Sequence, residues 1–140
     1  MLPALYEILR RRPEARLAVE IGGGRSAWPQ PADLEILLSE LDHPRLGWWF
    51  DTVRAWRFAR AAEAPPEIWF ARHRDRLLGA TLQDAGDDED GLPLGSGAVD
   101  FGPYRAHRSA DLIEVVRMAP RFPPGVLQES RRFLEGLGIA

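Results

Sequence analysis

The chain has 140 residues, which suits one domain, 1–140, with a sizeable hydrophobic core. Its net charge of −3 gives no attraction to nucleic acid or to an anionic membrane, and the absence of cysteine excludes disulfides and thiolate metal sites. No apolar run approaches the roughly 20 residues that span a bilayer, and the first residues lack the charge order of a signal peptide. We therefore expect a soluble, cytoplasmic protein.

Helix and strand patterns alternate along the chain. Apolar residues three or four positions apart, such as Leu2, Leu5, Ile8 and Leu9, predict helices, whereas short apolar runs such as 46–51 predict buried strands. In chain order the predicted elements are a helix over 2–12, a strand over 16–21, a helix that begins at 31 and is broken at 43–44, a strand over 46–51, helices over 52–63 and 66–74, a strand over 77–83, a long loop over 85–98, a short helix over 101–107, a strand over 111–116 and a closing helix over 126–137.

An acidic residue lies at or near the end of each predicted strand. These acids are Glu20, Asp51, Asp84 and Glu114, and the steps between them are 31, 33 and 30 residues. A βαβ unit takes about 30 residues, so this spacing predicts successive strand–helix units with parallel strands. Because sites in parallel α/β proteins lie outside the carboxyl ends of the strands, we expect Glu20, Asp51 and Glu114 to converge at one mouth of the sheet. Such a group of acids suits a hard cation or acid–base chemistry.

Several segments carry a resemblance to a known family. They are Leu17-Ala-Val-Glu20, Asp51-Thr-Val-Arg54, Thr81-Leu-Gln-Asp84, the glycine-rich loop from Pro93 to Phe101, and Glu114. In this order and spacing they resemble the C-terminal half of the xylose isomerase-like TIM barrels, a group that holds sugar isomerases, sugar epimerases and the endonuclease IV type of apurinic-site nuclease. The resemblance implies an α/β fold of four consecutive parallel βα units, half of a (β/α)8 barrel that takes about 250 residues in full.

The resemblance also implies a cation site at the mouth of the barrel. In the family, a divalent ion is held by two glutamates, an aspartate and a histidine, and Glu20, Asp51 and Glu114 match three of these metal ligands. Thr81 stands where the family has its histidine, so oxygen ligands remain, which suit Mg²⁺ or Mn²⁺. Glu20 and Glu114 would also be the catalytic acid–base pair that moves a proton between neighbouring carbons of a sugar or sugar acid.

Three further residues are candidates for the site. Arg54, which stands where the family often has histidine, either binds a carboxylate or phosphate of the substrate or pairs with Asp51 or Glu20. Asp84 either orients a metal ligand through a hydrogen bond or caps the turn that follows it. Trp28 is the tryptophan best placed to line a sugar site, whereas the others are expected in the core or at an interface.

Two classes of function follow. The first is a divalent-metal-dependent sugar or sugar-acid isomerase or epimerase. The second is a non-catalytic half-barrel, a binding or assembly module whose acids are remnants neutralised by arginines such as Arg54 and Arg117. An apurinic-site nuclease ranks third, because its histidines and a basic surface are lacking. Four strands leave two open edges, so we expect cover from a second copy in a homo-oligomer, from a complementary N-terminal half, or from the chain's own terminal helices.

Overall fold

The chain folds around one four-stranded parallel sheet with helices between successive strands. The structure is a computed structural model, and it describes residues 2–22, 28–62 and 65–139. The elements are α1 (Leu2–Arg11), β1 (Leu17–Glu20), α2 (Pro31–Leu41), β2 (Leu46–Asp51), α3 (Thr52–Ala62), α4 (Glu67–His73), a 3₁₀ turn (Arg74–Arg76), β3 (Leu77–Leu82), β4 (Asp84–Ala85), β5 (Asp90–Leu92), α5 (Gly102–His107), β6 (Ile113–Val116) and α6 (Pro124–Gly136).

The strand order of the main sheet is β1-β2-β3-β6, and all of its neighbouring pairs are parallel. Each step along the sheet is also a step along the sequence, with a helical segment between the two strands. This is the arrangement of successive βα units. The predicted α/β fold with four parallel strands in βα order is therefore confirmed.

The helices begin where the sequence supplies proline or an acidic cap. Pro31 occupies the first turn of α2, and Asp33 accepts a hydrogen bond from the backbone N–H of Gln30 at 2.8 Å, which completes a capping box. Pro124 has the same position in α6. Proline is favoured there because its fixed φ suits the helix and its missing N–H would have no partner.

The predicted loop over 85–98 contains a short antiparallel pair, β4 with β5, that the sequence analysis missed. The acidic run between them forms the turn, where Gly86 N donates to Glu89 O at 2.9 Å. Gly91 follows with a positive φ of 71°, which glycine adopts at little cost. Its carbonyl accepts from Ala119 N at 2.8 Å, so this small hairpin is fastened to the segment after β6.

An aromatic core fills the side of the sheet that faces the helices. Trp48 and Phe50 of β2 point to this side, and their rings lie 5.4 and 4.9 Å from the ring of Phe70 in α4. Tyr104 of α5 stacks on Phe50 at 5.6 Å with an interplanar angle of 8°. Burial of one large apolar side chain contributes about 1.5–3 kcal/mol, so this cluster holds α4 and α5 against the sheet.

The opposite side of the sheet is exposed towards its β6 edge. We call it the open face and define it by Trp49, Thr81, Ile113 and Val115. The Trp49 ring covers Gly79, where an added Cβ would lie 2.5 Å from the ring, and its Nε1 donates to Thr81 Oγ1 at 2.8 Å. Beyond this pair, Ile113 is 61% exposed and Val115 is 46% exposed. In the part of the chain that the structure describes, no helix is long and apolar enough to cross a membrane.

Candidate functional site at the carboxyl ends of the strands

Glu20 and Asp51 lie beside each other at the carboxyl ends of β1 and β2. Glu20 is in register with Trp49, and Asp51 comes two residues after Trp49, so both acids belong to the open face. The Glu20 side chain is 35% exposed, whereas Asp51 is buried. Arg54, in the first turn of α3, pairs with Glu20, with Nε 3.3 Å from Oε1. The structure thus brings Glu20, Asp51 and Arg54 together.

The Asp51 carboxylate is fully engaged inside the protein. Its Oδ1 accepts the backbone N–H of Arg54 at 2.9 Å, which caps the start of α3. The side-chain amide of Gln83 also donates to both of its oxygens, with Nε2 2.8 Å from Oδ1 and 2.7 Å from Oδ2. Gln83 follows β3 and is itself buried. An amide donor therefore stands where a cation would have to approach Asp51.

Thr52 fixes the position of Gln83. The buried Thr52 hydroxyl donates to the carbonyl of Gln83 at 2.6 Å and accepts the backbone N–H of Gln83 at 2.9 Å. Because both backbone groups of Gln83 are held by one hydroxyl, its side chain is directed back over Asp51. The consecutive Asp51-Thr52 pair thus supplies both the carboxylate and the residue that brings the amide to it.

Glu114 lies on the other side of the sheet. It is in register with Ala80 of β3, which is in register with Phe50 of the aromatic core. Residues in register on parallel strands point the same way, so Glu114 points towards the helices. Its Oε1 accepts from Tyr104 Oη at 2.6 Å and from Arg108 Nε at 2.9 Å. Burial and this hydrogen bond raise the pKa of Tyr104, which keeps the phenol protonated as the donor.

The predicted convergence of Glu114 with Glu20 and Asp51 is therefore wrong. Glu114 is the second residue of β6, and the residues of β6 that reach the open face are Ile113 and Val115. A displacement of one position along a strand moves a side chain to the opposite face. Glu114 cannot share a metal ion, or a proton transfer, with acids on the open face.

Arg117 lies at the mouth where Glu114 was expected. It follows β6 directly, and its positive charge acts to lower the pKa of Glu20. Arg54, Arg57, Gln83 and Arg117 line a cavity of about 410 Å³, which we call the mouth cavity. Arg57 pairs with Asp90 of β5, with Nη2 2.6 Å from Oδ1. Arg54 is the arginine of the cavity that pairs with Glu20, and Arg117 lines the same cavity.

Glu20 is an acid of the mouth whose pKa is shifted. Burial raises the pKa of Glu20 above its usual value; the positive charge of Arg54 opposes this shift, the nearby Asp51 adds to it, and Arg117 opposes it. A half-exposed carboxyl with a raised pKa, flanked by two arginines, is suited to accepting a hydrogen bond or a proton from a hydroxyl group.

Asp84 has a structural position. It is buried, and its Oδ2 accepts the backbone N–H groups of Gly95 and Gly97 at 2.9 Å each, while Oδ1 accepts those of Ala85 at 2.8 Å and Val99 at 3.2 Å. Of its two interpretations, the structure supports turn capping, extended to the whole loop. A carboxylate with four backbone donors holds the loop after β5 in one conformation.

Trp28 is half exposed in the segment that follows β1. The carbonyl of its neighbour Pro29 accepts from Gly22 N at 2.8 Å, which places this segment at the carboxyl end of β1. Its part in a ligand site stays a prediction.

The side chains present at the mouth do not fit a divalent cation. Both Asp51 oxygens accept hydrogen bonds from Gln83, Arg54 is held against Glu20, and Glu114 is on the other face. Within residues 2–22, 28–62 and 65–139, no three His, Cys, Asp or Glu side chains are grouped so that they could hold a metal ion. A guanidinium next to the carboxylates also repels a cation. These residues therefore do not support the Mg²⁺ or Mn²⁺ site.

Gln83 is a site residue that the sequence analysis did not select, and Arg117 entered it only as an arginine that would neutralise the acids. Strand alternation contains the signal for both. Gln83 lies two residues after Thr81, which is in register with Asp51, and Arg117 lies two residues after Val115, which is in register with Thr81. Counting in steps of two from Asp51 across the sheet would have selected both residues.

Comparison with known proteins gives similar structures and no similar sequences. No protein family model matches the chain, and no curated protein sequence matches it. The probable 3-DHS dehydratase AsbF involved in petrobactin synthesis, from Bacillus anthracis, is similar with a TM-score of 0.73 and 16% identity, over 96% of this chain and 55% of that one. A xylose isomerase domain protein from Planctomyces limnophilus has a TM-score of 0.69 and 17% identity, over 97% and 52% of the two chains. The IOLI protein, whose crystal structure contains a zinc atom, has a TM-score of 0.64 and 17% identity, over 99% and 53%.

These similarities show the fold. The chain has the architecture of one half of a TIM barrel, and it spans about half the length of each of these neighbours. The four βα units are thus shared with them at the level of the fold. Function has to be argued from the side chains at the mouth.

Proposed function

We propose that this chain is a non-catalytic half-barrel binding module whose mouth holds an anionic hydroxylated ligand, a sugar acid or a related hydroxy acid, without a metal ion. The observation that carries the proposal is the contact of one amide nitrogen of Gln83 with both oxygens of Asp51, at 2.8 and 2.7 Å. This pair uses the acid that would be central to a cation site. It leaves a mouth lined by guanidinium groups, an amide and one half-exposed carboxyl.

The hydrogen bonds of Asp51 oppose its use as a metal ligand. Hydrogen bonds to a charged group contribute about 1.5–3 kcal/mol each, and a cation would have to displace the amide to reach the carboxylate. The displaced amide would then need new partners in a buried position, since Thr52 still holds the Gln83 backbone. Both costs favour the present arrangement over an ion-bound one.

The arginines favour an anionic ligand. A guanidinium group offers planar pairs of N–H donors that match a carboxylate, and Arg54 and Arg117 both line the mouth cavity. Arg54 is held by a relatively long contact to Glu20 at 3.3 Å, which leaves donors for a ligand. Glu20 adds an acceptor for a hydroxyl group next to these donors.

Calorimetric titration tests the proposal with D-gluconate as the anionic probe and D-glucose as the neutral control, with and without EDTA. We expect gluconate to bind, glucose to bind at least ten-fold more weakly, and EDTA to change neither result. Arg117→Gln should weaken gluconate binding about ten-fold or more, because a charged hydrogen-bonded contact is lost. Arg132→Gln, at an exposed position of α6, is the matched control and should bind as the wild type does. Gluconate binding that disappears with EDTA would contradict the proposal.

A metal-dependent sugar isomerase or epimerase is the second candidate, and one observation favours it. Glu20 and Asp51 lie together at neighbouring strand ends, and burial raises the pKa of Glu20 towards the range of a useful proton carrier. Titration with Mn²⁺ separates the candidates. Binding at micromolar Mn²⁺ that is lost in Asp51→Asn would favour the isomerase, whereas the binding module requires no such binding. Exchange of substrate C–H hydrogen with deuterated water, followed by NMR, would report the proton transfer directly.

A further inference from the structure

Both edges of the main sheet are unpaired among the described residues. The strand order ends with β1 on one side and β6 on the other. The backbone N–H of Leu17 donates to the carbonyl of Arg45, on the β2 side, at 2.8 Å. The backbone N–H of Arg117 donates to the carbonyl of Leu82, on the β3 side, at 2.9 Å. Successive residues of a parallel strand bond to opposite neighbours, so the backbone groups of Ala18 in β1 and of Glu114 and Val116 in β6 face outward. Each edge thus offers a short row of free donors and acceptors.

Exposed apolar side chains occur on the units at these two edges. Tyr6 and Ile8 lie on α1, which precedes β1, and Leu127 lies on α6, which follows β6; all three are exposed. Ile113 and Val115 extend the apolar surface over the open face of β6. Ile36 of α2 and Ile68 of α4 are exposed as well, but the five residues on the two edge units lie beside unpaired strands, where they add to a surface for interaction.

A groove runs beside the β6 edge, between β6 and α6. It encloses about 630 Å³, and its apolar lining is Leu82, Val116, Leu127, Leu134 and Ile139. In a closed barrel every strand pairs with a neighbour on both sides, and the helices form an outer ring. The next βα unit would therefore pack against β6 and α6 at this groove. The first unit of this chain, α1 with β1, has the matching order of elements and apolar side chains to fill it.

The exposed area is larger than a closed domain of this mass requires. A folded monomer of 15.7 kDa is expected to expose about 7,300 Å². The chain exposes 8110 Å², an excess of roughly 800 Å² over that scaling value. A stable interface of standard size buries about 800 Å² on each partner. The excess is of the order of the area that each partner of a standard interface buries.

We propose that the occupant of both edges is a second copy of this chain. β6 of one copy pairs with β1 of the other, and a two-fold axis through the centre repeats the same contact on the opposite side. Eight parallel strands then close into a ring, which is the number of a TIM barrel. A second copy is favoured over an unrelated partner because the chain itself carries both complementary edges. This proposal does not depend on the ligand proposed above.

Light scattering coupled to size-exclusion chromatography tests the proposal on the 140-residue chain. At 50 μM we expect twice the chain mass of 15.7 kDa. Ala18→Pro removes an outward N–H of β1 at an exposed residue while leaving the bonds to β2 in place, and should reduce the mass to one chain. Ala18→Ser keeps the N–H and should remain a dimer. Circular dichroism of both variants checks that the fold is retained.

A second pair of variants tests the groove without touching the backbone. Leu127→Asp puts a charge into the groove at an exposed position and should give a monomer, whereas Arg132→Asp, exposed on the same helix, should not. A wild-type chain that is a monomer at 100 μM would overturn the proposal. So would a dimer that neither Ala18→Pro nor Leu127→Asp dissociates, since its interface would lie elsewhere.

Discussion

The side-chain amide of Gln83 donates to both carboxylate oxygens of Asp51, and this contact links the ends of two neighbouring strands. It replaces charge neutralisation by a cation with hydrogen bonding by a neutral group. Both Asp51 oxygens therefore have a hydrogen-bond donor from the protein itself. The same geometry shows which single change would place a further carboxylate at the mouth.

Gln83→Glu should create a cation site. The new carboxylate would lie beside Asp51 where the amide now lies, and Glu20 is the next acid at the mouth, so three oxygen donors would meet there. We expect Mn²⁺ to bind to this variant at least ten-fold more tightly than to the wild type, measured by the loss of the free Mn²⁺ signal in electron paramagnetic resonance.

Gln83→Leu is the matched control, because it also removes the amide but adds no ligand. Equal Mn²⁺ binding by the two variants would show that the added carboxylate does not create the site. Mn²⁺ binding by the wild type as tight as by Gln83→Glu would contradict the present account of Asp51.

Thr52 should be more important for stability than its size suggests. Thr52→Val keeps the shape but leaves the N–H and the carbonyl of Gln83 buried without their partner. Leaving a buried polar group unpaired costs about 1–3 kcal/mol, so we expect a loss of roughly 2–4 kcal/mol in the free energy of unfolding by urea. Thr52→Ser keeps the hydroxyl and should lose about 1 kcal/mol for the methyl group. Similar losses in both variants would mean that the hydroxyl is not what fixes Gln83.

The fold was predictable because its signals are redundant. The acids recur with the period of a βα unit, and Pro31 marks the start of a helix, so independent observations gave the same order of elements. The closing helix was predicted from residue 126, and the structure begins it at Pro124. The hairpin of β4 and β5 was missed because two strands of two and three residues carry too few side chains to show an alternation.

The site was predictable only in part, because the phase of β6 cannot be read from its sequence. Ile113 and Val115 on the open face and Val116 on the helix side are all apolar, so no alternation of polarity shows which face Glu114 takes. Its side is decided by Tyr104 and Arg108, which come from α5 and from the residue that follows it. Glu20 and Asp51 were placed together because each ends its strand.

Glu114→Gln should therefore lower stability without weakening ligand binding at the mouth. Its carboxylate holds Arg108 and Tyr104 on the helix side, so the change should lower stability by about 1–3 kcal/mol. Gluconate binding at the mouth, measured by calorimetry at a temperature where the variant is folded, should stay within about two-fold of the wild type. A loss of binding as large as that of Arg117→Gln would return Glu114 to the site.

Asp84→Asn should be strongly destabilising, although it changes one atom. Each Asp84 oxygen accepts two backbone N–H groups, so an amide placed there turns an NH₂ group towards two donors. We expect a loss of roughly 2–4 kcal/mol in the free energy of unfolding. Asp100→Asn is the matched control, since Asp100 is exposed and accepts from Gly102 N at 2.8 Å, and it should lose less than about 1 kcal/mol. Equal losses would show that the loop does not depend on the Asp84 carboxylate.

The pH dependence of stability should reflect the raised pKa of Glu20. Burial raises the pKa of Glu20 in the folded state above its value in the unfolded chain, so the folded state binds the proton more tightly. The stability that this proton contributes is present below the unfolded pKa, at about 4.5, and is lost as the pH rises through the higher folded pKa. Glu20→Gln removes this dependence.

The free energy of unfolding of the wild type minus that of Glu20→Gln should therefore fall as the pH is raised from about 4.5 through the higher folded pKa, and then become constant. Arg54→Gln provides the internal test, because the positive charge of Arg54 opposes the shift and its removal should raise the pKa of Glu20 further. In the Arg54→Gln background, the fall should be larger and extend to higher pH. A difference that grows with pH would mean that the pKa of Glu20 is lowered by its arginines, and that the mouth holds Glu20 as a permanent anion.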